Sequence, residues 1–508
     1  MEQSRSSLSS DSEKNAAILN EAAPLLLDNH GLPLVPQPSR FKDDPLNWPS
    51  WMKWAVLLQV SVFAFLGPFN SAVINPSLVL LADGLGVDST TASYTTTCAI
   101  IAGGLTSTFE VTASKPFIFT PLTNVYGRRP VTLFAILLTI AGGIGSGASN
   151  TYAGVAISKS RALNGAGFGG MMSVGTSCVN DMFFLHERGE KTGVYVVFVT
   201  NGAHVAALFG GFLGAAMGWK WDYYIGVIIT SVPFVVALFL FPETLFPRDE
   251  KFLATRTQER SYSEMLWNWK GNMHPGRRLH ISQFTHSFVM LKYPSVTLPL
   301  IYYTLAWTFV NILPAVTIAA IYHKIYHLGA GPTGACFGIS LTIGTVLGEL
   351  CAGRLSDYIM FRMAMRHDGI RKPEYRLYLS PLSAIFMPVG IIIFGATVGR
   401  TGFIPPLVGL AVGAFGLQIA STCLYAYISD CYRPQTPETG TLFNLGRGLS
   451  FFIPFAATPL ANQITYLWAW FTFAAILFVT FLPVAALIWR GERWRIATGQ
   501  PTFQGFTQ

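Results

Sequence analysis

What most constrains this chain of 508 residues is a repeated pattern, in which runs of twenty or more mostly apolar residues alternate with polar connections. A helix needs about 20 such residues to cross the ~30 Å hydrocarbon core of a bilayer, where a helix or a closed barrel alone satisfies its own backbone. Twelve runs qualify, at approximately 54–82, 93–123, 130–149, 152–178, 192–217, 221–242, 296–320, 332–354, 376–398, 404–429, 440–464 and 466–489. The longest polar break, 243–295, divides them six and six. Composition points the same way. Charged residues make up 12% of the chain and hydrophobic residues 51%, against about 25% charged in soluble domains. So little charge does not cover several solvated domains, which excludes a cytosolic enzyme, a disordered chain and a secreted disulfide scaffold. The net charge of +8 needs no nucleic-acid partner. The six cysteines form no C-x-x-C pair and read as small apolar side chains. Residues 1–50 hold no apolar signal segment, so the first run is expected to be its own insertion signal.

Lysine and arginine gather on the cytoplasmic side of membrane helices. With the N-terminus inside, 27 of the 34 basic residues fall on inner segments and three (Lys220, Lys324 and Arg400) on outer loops. The remaining four, Lys115, Lys159, Arg161 and Arg447, lie within proposed helices. The expected organisation is an all-α membrane protein of twelve helices. A cytoplasmic disordered tail (1–50) precedes a six-helix bundle (51–242), a cytoplasmic central loop (243–295), a second six-helix bundle (296–490) and a cytoplasmic tail (491–508).

The halves echo each other. Thr120-Pro-Leu-Thr-Asn-Val-Tyr-Gly-Arg-Arg-Pro130 follows the second run, and Gly353-Arg-Leu-Ser-Asp357 follows the eighth. Such repetition suggests a duplicated six-helix unit. Both elements resemble the G-x-L-x-D-R-x-G-R-R loop signature of the major facilitator superfamily. Arg161-Ala-Leu-Asn-Gly165 resembles the family's R-x-x-x-G motif, and Gly193, Gly202, Gly210 and Gly211 fall at antiporter-motif spacings. Three further elements resemble the fungal twelve-helix drug:proton antiporter branch. They are Asn47-Trp48 with Trp51 and Lys53-Trp54, Pro242-Glu243-Thr244-Leu245-Phe246, and the stretch Asp430–Glu438. The resemblance implies two bundles around a central site that opens alternately to each side. Departures from the pattern are Thr120 and Asn124 in the first loop, and Ala206-Ala207 where the antiporter motif has Gly-Pro. Gly202, Ala206, Gly210 and Gly214 still share one helix face, which suits close helix packing.

The resemblance assigns a conformational switch to Asn124, Gly127, Arg128, Arg129, Asp181, Gly353 and Asp357, with Asp181 the partner of the arginine cluster. It assigns proton coupling to Arg161, about nine residues into the fourth run and so roughly 13 Å deep. A charge at that depth is costly and faces water or a partner. The alternative for Arg161 is a structural arginine bonded to helix carbonyls. His204 is a candidate auxiliary proton site, since an unperturbed imidazole titrates near 6.5; the alternative is a satisfied polar group. Glu349 and Asp430 are expected to brace loop charges, with Arg447 pairing with such an acid. Polar residues at helix positions make Asn70, Asn164, Asn201, Trp307, Asn311, Gln418, Tyr425 and Asn444 the substrate-binding candidates. Aromatics and amides with few fixed charges suit a medium-sized amphipathic compound.

No metal is expected: His323-x-x-x-His327 has no neighbouring carboxylate. Nor is any cofactor, since Gly165-x-Gly-x-Gly169 lies inside a membrane run and no P-loop is present. The second run is long enough to suggest inserted sequence around Leu105–Thr112, with a break near Glu110. Glu21-Ala-Ala-Pro-Leu25-Leu26 resembles an acidic dileucine sorting signal. The expected function is proton-coupled efflux of a small organic compound by a monomer in the cell membrane. Alternatives are proton-coupled uptake of a nutrient or organic cation, a non-transporting membrane sensor, and a vacuolar or endosomal location.

Overall fold

The computed structural model describes residues 36–108, 119–152, 159–248, 258–270, 286–366, 372–432, 435–450 and 452–499, with a few isolated positions between them. Its long helices are α1 (Ser50–Leu85), α2 (Ser89–Thr108), α3 (Arg128–Ala148), α4 (Lys159–Met182), α5 (Leu185–Met217) and α6 (Trp219–Leu240). A second set follows: α7 (Pro294–Tyr326), α8 (Ala330–Arg366), α9 (Pro373–Thr397), α10 (Ile404–Cys431) and α11 (Thr436–Leu449). The last helix, Phe452–Thr498, breaks at Thr465 (φ 74°, ψ 154°). The part before the break extends α11, and the part after it is α12. Short helices at Phe119–Tyr126 and Tyr262–Trp267 lie outside this series.

Helices α1–α6 pack on one another chiefly as α3 on α4, α1 on α5 and α2 on α4. Helices α7–α12 do so as α9 on α10, α8 on α10, and α9 on α12. The two sets meet where α5 lies along α8 and α2 along α11. Among the described residues, nine helices contain stretches long and apolar enough to cross a bilayer. Helices α2, α4 and α11 are not among them, being rich in Thr, Gly, Ser and Asn. Helices α2 and α11 pack between the two sets and α4 mainly against α1, α2 and α3, so that neighbouring protein rather than lipid sets their composition. The contrast runs through the fold: the apolar window of α1 is 78% buried and that of α6 only 22%.

Prolines shape the two helices that matter most for the interior. Pro76 offers no N–H to the carbonyl one turn back. The regular helix of α1 therefore stops at Ala72 and resumes at Leu78 after a 3₁₀ turn, Asn75–Ser77. In α7, Pro314 leaves the Val310 carbonyl without its usual donor, and the chain widens into a π-turn over Thr308–Ile312. Such widened turns project side chains out of helical register and are frequent at functional sites. The small-residue face of α5 lies on α1, where a Cβ on Gly210 would come within 1.8 Å of the Val73 carbonyl oxygen.

Described residues just before α1 have partners in the central loop. Asp44 accepts from the Ser39 and Leu46 amides at 2.9 and 3.0 Å and pairs with Arg248 at 2.9 Å. Asp43 pairs with Arg256 and, at 2.9 Å, with Arg260. This acidic pair ties the approach to α1 onto the central loop, so that part of the tail has partners. Glu110, Lys115 and the sorting-signal residues Glu21–Leu25 lie outside the described residues, as do residues 109–112 of the stretch questioned in the second run.

Candidate functional site

Two adjoining hollows lie between the helix sets, sharing Met172, Val199, Asn444 and Arg447. The larger is walled by Pro68, Ser71 and Asn75 at the break of α1, Thr96 of α2, Phe168 of α4, Ala203 of α5, and Trp307 and Asn311 of α7. The smaller reaches Tyr195 of α5, Tyr425 of α10 and Thr441 of α11. Of the eight substrate-binding candidates, Trp307, Asn311, Tyr425 and Asn444 line this space. Asn311 reaches it from the π-turn of α7.

The other four do not line it, because their amides hold helices together. Asn70 donates to the Leu66 carbonyl and to Thr230 Oγ1, both at 2.8 Å. Asn164 donates to the Thr139 carbonyl at 3.3 Å. Asn201 accepts from Thr345 of α8 at 3.0 Å, a bond between the two helix sets. Gln418 donates to Glu349 Oε2 at 2.7 Å. Thr422 donates to that same oxygen at 2.6 Å, so Glu349 is held by α10 and does not brace loop charges. Asp430 does meet a basic residue, Arg376 in the 3₁₀ turn that opens α9, at 2.5 Å, and is thereby unavailable to Arg447.

Arg161 is fully buried and takes the carbonyl-bonded arrangement. Its guanidinium donates to the Asn70 and Ser71 carbonyls of α1 at 3.3 and 2.9 Å, and to the Thr95 carbonyl of α2 at 3.2 Å. The last carbonyls before a helix break have no helical donor, and a cation there also suits the helix dipole. The break made by Pro76 thus creates the acceptors that Arg161 fills. Its charge also lies 5.3 Å from the Tyr223 ring. Next to Tyr223, Asp222 is fully buried against Ser77, and neither it nor Glu349 has a basic side chain within 4 Å among the described residues. Motif reading did not find Asp222; the signal was an acid just inside the sixth apolar run. His204 is buried on α5, close to Asn311 across the interface.

The switch residues of the first half form one cluster. Arg128 pairs with Asp181 at 3.0 Å, donates to Thr123 at the same distance, and donates to Asn124 Oδ1. Arg129 donates to the Ala237 and Leu238 carbonyls, each at 2.7 Å, and to that of Phe241, closing the end of α6. Glu243 binds the start of α3. It accepts from the Arg128, Arg129 and Leu245 amides at 2.7, 3.1 and 2.9 Å. Burial pushes its carboxyl above the ordinary range, and the three amide donors oppose that rise. Gly127 has φ 104°, and a Cβ there would come within 2.3 Å of Glu243 Oε2. A left-handed backbone and a carboxylate at contact distance both call for glycine. Glu243 belongs to the Pro242–Phe246 element, which marked the branch without indicating this role. In the second half, Gly353 lies within α8, and the Asp357 side chain is outside what is described.

The sequence profile of the Major Facilitator Superfamily matches residues 60–453. The efflux pump vrtL of Penicillium aethiopicum is 25% identical over 437 residues, covering 84% of this chain and 82% of its own. The MFS-type transporter penM of Penicillium rubens is 25% identical over 475 residues, covering 91% and 88%. Among solved structures, the partially occluded inward-open form of the E. coli xylose transporter XylE superposes with a TM-score of 0.60 at 14% identity. It covers 85% of this chain and 98% of that one.

Proposed function

The chain belongs to the major facilitator superfamily, and from that premise we propose that it exports a small organic compound in exchange for protons by alternating access. It is a membrane-embedded transporter and not an enzyme. The observation that carries the reading is the cavity walled by both helix sets. Rocking of one set against the other about α5–α8 and α2–α11 exposes such a site to either side in turn. Outward direction is supported by relatives named as efflux pumps, vrtL and radE of Floropilus chiversii.

Proton coupling is assigned to Arg161 and His204, with Asp222 and Glu349 as carboxylates able to carry the proton. Neither has a basic partner within 4 Å among the described residues, and the exposure of each changes as the bundles move. Arg161 couples through α1, because it ties the break of that helix to α2. The Arg128–Asp181 and Glu243 cluster is assigned the switch. Uptake by the same fold is the second reading, favoured by Ala206-Ala207 in place of the Gly-Pro bend.

We place the protein in the cell membrane as a monomer, with both termini and the central loop cytoplasmic, and a vacuolar or endosomal membrane as the alternative. Reporters fused at the N-terminus and at Lys270 are expected inside, and one at His323 outside. Lys270 outside would overturn the topology. The functional test compares accumulation of candidate compounds in cells with and without the protein, and with and without a proton uncoupler. Lower accumulation that the uncoupler restores supports export, and higher accumulation supports uptake.

A further inference from the structure

Resting on the transport reading, one side chain narrows the chemistry of the cargo. Among the described residues lining the two hollows, Arg447 alone is charged. It is 8% exposed. Its Nε donates to the Tyr303 hydroxyl at 2.7 Å and Nη1 to Asn444 Oδ1 at 3.4 Å, while Nη2 makes no hydrogen bond to a described residue. No carboxylate among the described residues lies within 4 Å of it, the acid at the end of α10 being held by Arg376. A guanidinium does not shed its proton in a protein, so the charge persists when water is thin around it. Arg161 meets that problem with three carbonyls. Arg447 has a phenol, an amide and the face of Trp307, 4.6 Å from its Cζ. Aromatic faces attract a cation but leave it unneutralised.

We propose that Arg447 is the anion-binding residue of the cavity and that the cargo is an amphipathic organic acid. A carboxylate oxygen of the cargo takes the open Nη2, supplying the counter-charge the protein withholds. Its aromatic or alicyclic body lies between Trp307 and the apolar wall made by Met172 and Val199. Tyr303 is a positioning residue: its hydroxyl fixes Nε and thereby aims the rest of the fork.

The test uses the full chain in detergent, with equilibrium dialysis of three acids, 1-naphthoate, 9-anthracenecarboxylate and 1-pyrenebutyrate, each beside its primary amide and the matching primary amine. The acids are expected to bind at least tenfold more tightly than their amides and amines. Arg447→Gln brings the acids to the affinity of the amides, Arg447→Lys retains part of the preference, and Tyr303→Phe weakens the acids severalfold without moving the amides. Should Arg447→Gln fail to fold, Asn444→Asp sets a carboxylate beside Nη1 and is expected to abolish acid binding alone. Amides or amines that bind as tightly as the acids, acids that do not bind, or an acid preference that survives Arg447→Gln or Asn444→Asp would each overturn the proposal. The same compounds in sealed vesicles separate it from the reading beneath it. Gradient-driven flux of amides without acids overturns the anion site and leaves transport standing. Acid binding without driven flux of any compound overturns transport and leaves the site.

Discussion

Arg161 and Arg447 are two guanidiniums buried within one membrane fold, neither facing a carboxylate, yet their surroundings are opposite. Arg161 is enclosed where α4 meets α1 and α2, and its donors are taken up by three carbonyls, two of them left without helical donors by the break at Pro76. Arg447 stands at the cavity wall with one terminal nitrogen unused. The first charge is answered by the backbone and belongs to the architecture; the second is answered by aromatic faces and awaits something from outside. Arg128, paired with Asp181, is the intermediate case. Burial alone therefore does not say what a membrane arginine does; the oxygens within its reach do.

Substitutions sharpen the comparison in order of expected effect. Arg161→Ala leaves up to three buried carbonyls without donors, at about 1–3 kcal/mol each. Folded yield and thermal stability are expected to fall steeply, and driven flux with them. Arg161→Lys keeps the charge but not the planar fork, so it recovers only part. Melting followed by size-exclusion fluorescence reads this, and a stable Arg161→Ala protein with normal driven flux would break the contrast. Asp181→Ala comes next. It strips Arg128 of its charge partner, a loss of about 3–5 kcal/mol when a buried pair is broken, reduced here because the Asp181 side chain is 12% exposed. Its melting temperature should lie between those of Arg161→Ala and the unaltered protein.

Arg447→Met is expected to leave stability unchanged or raised, since replacing an uncompensated buried charge by an apolar side chain is often neutral or favourable. A large loss of stability in that variant would show Arg447 to be architectural after all. The smallest effect belongs to His204→Ala. It is expected to leave transport working and to move the pH optimum of flux by less than about one unit, as befits an auxiliary site.

The apolar runs were legible because bilayer thickness acts on every helix alike. The break between α11 and α12 falls at Thr465, the residue between the runs 440–464 and 466–489. Arg161 was legible as a buried cation, but its acceptors were not, since they arise from a proline in another helix. Arg447 was read as half of an ion pair with an acid such as Asp430; the 3₁₀ turn that opens α9 delivers Arg376 to that acid instead. Polar type and apolar surroundings identified Asn311 and Asn444 along with Asn70 and Asn164. Type alone does not tell an amide facing a cavity from one joining two helices. Asp222 and the role of Glu243 escaped notice because each acid sits at the edge of an apolar run, where acids are ordinary, and only the folded neighbours make them buried.

The most direct test of the central claim is flux of an aromatic acid across vesicles containing the full chain, under an imposed pH gradient and then under the reversed one. The account predicts that the acid accumulates against its own gradient on the side protons leave. The direction should reverse with the pH gradient, and Arg161→Ala should lose the driven component. Protonophore should abolish the accumulation. Flux of equal size with and without the gradient would contradict proton coupling, leaving facilitated diffusion as the activity of the same cavity.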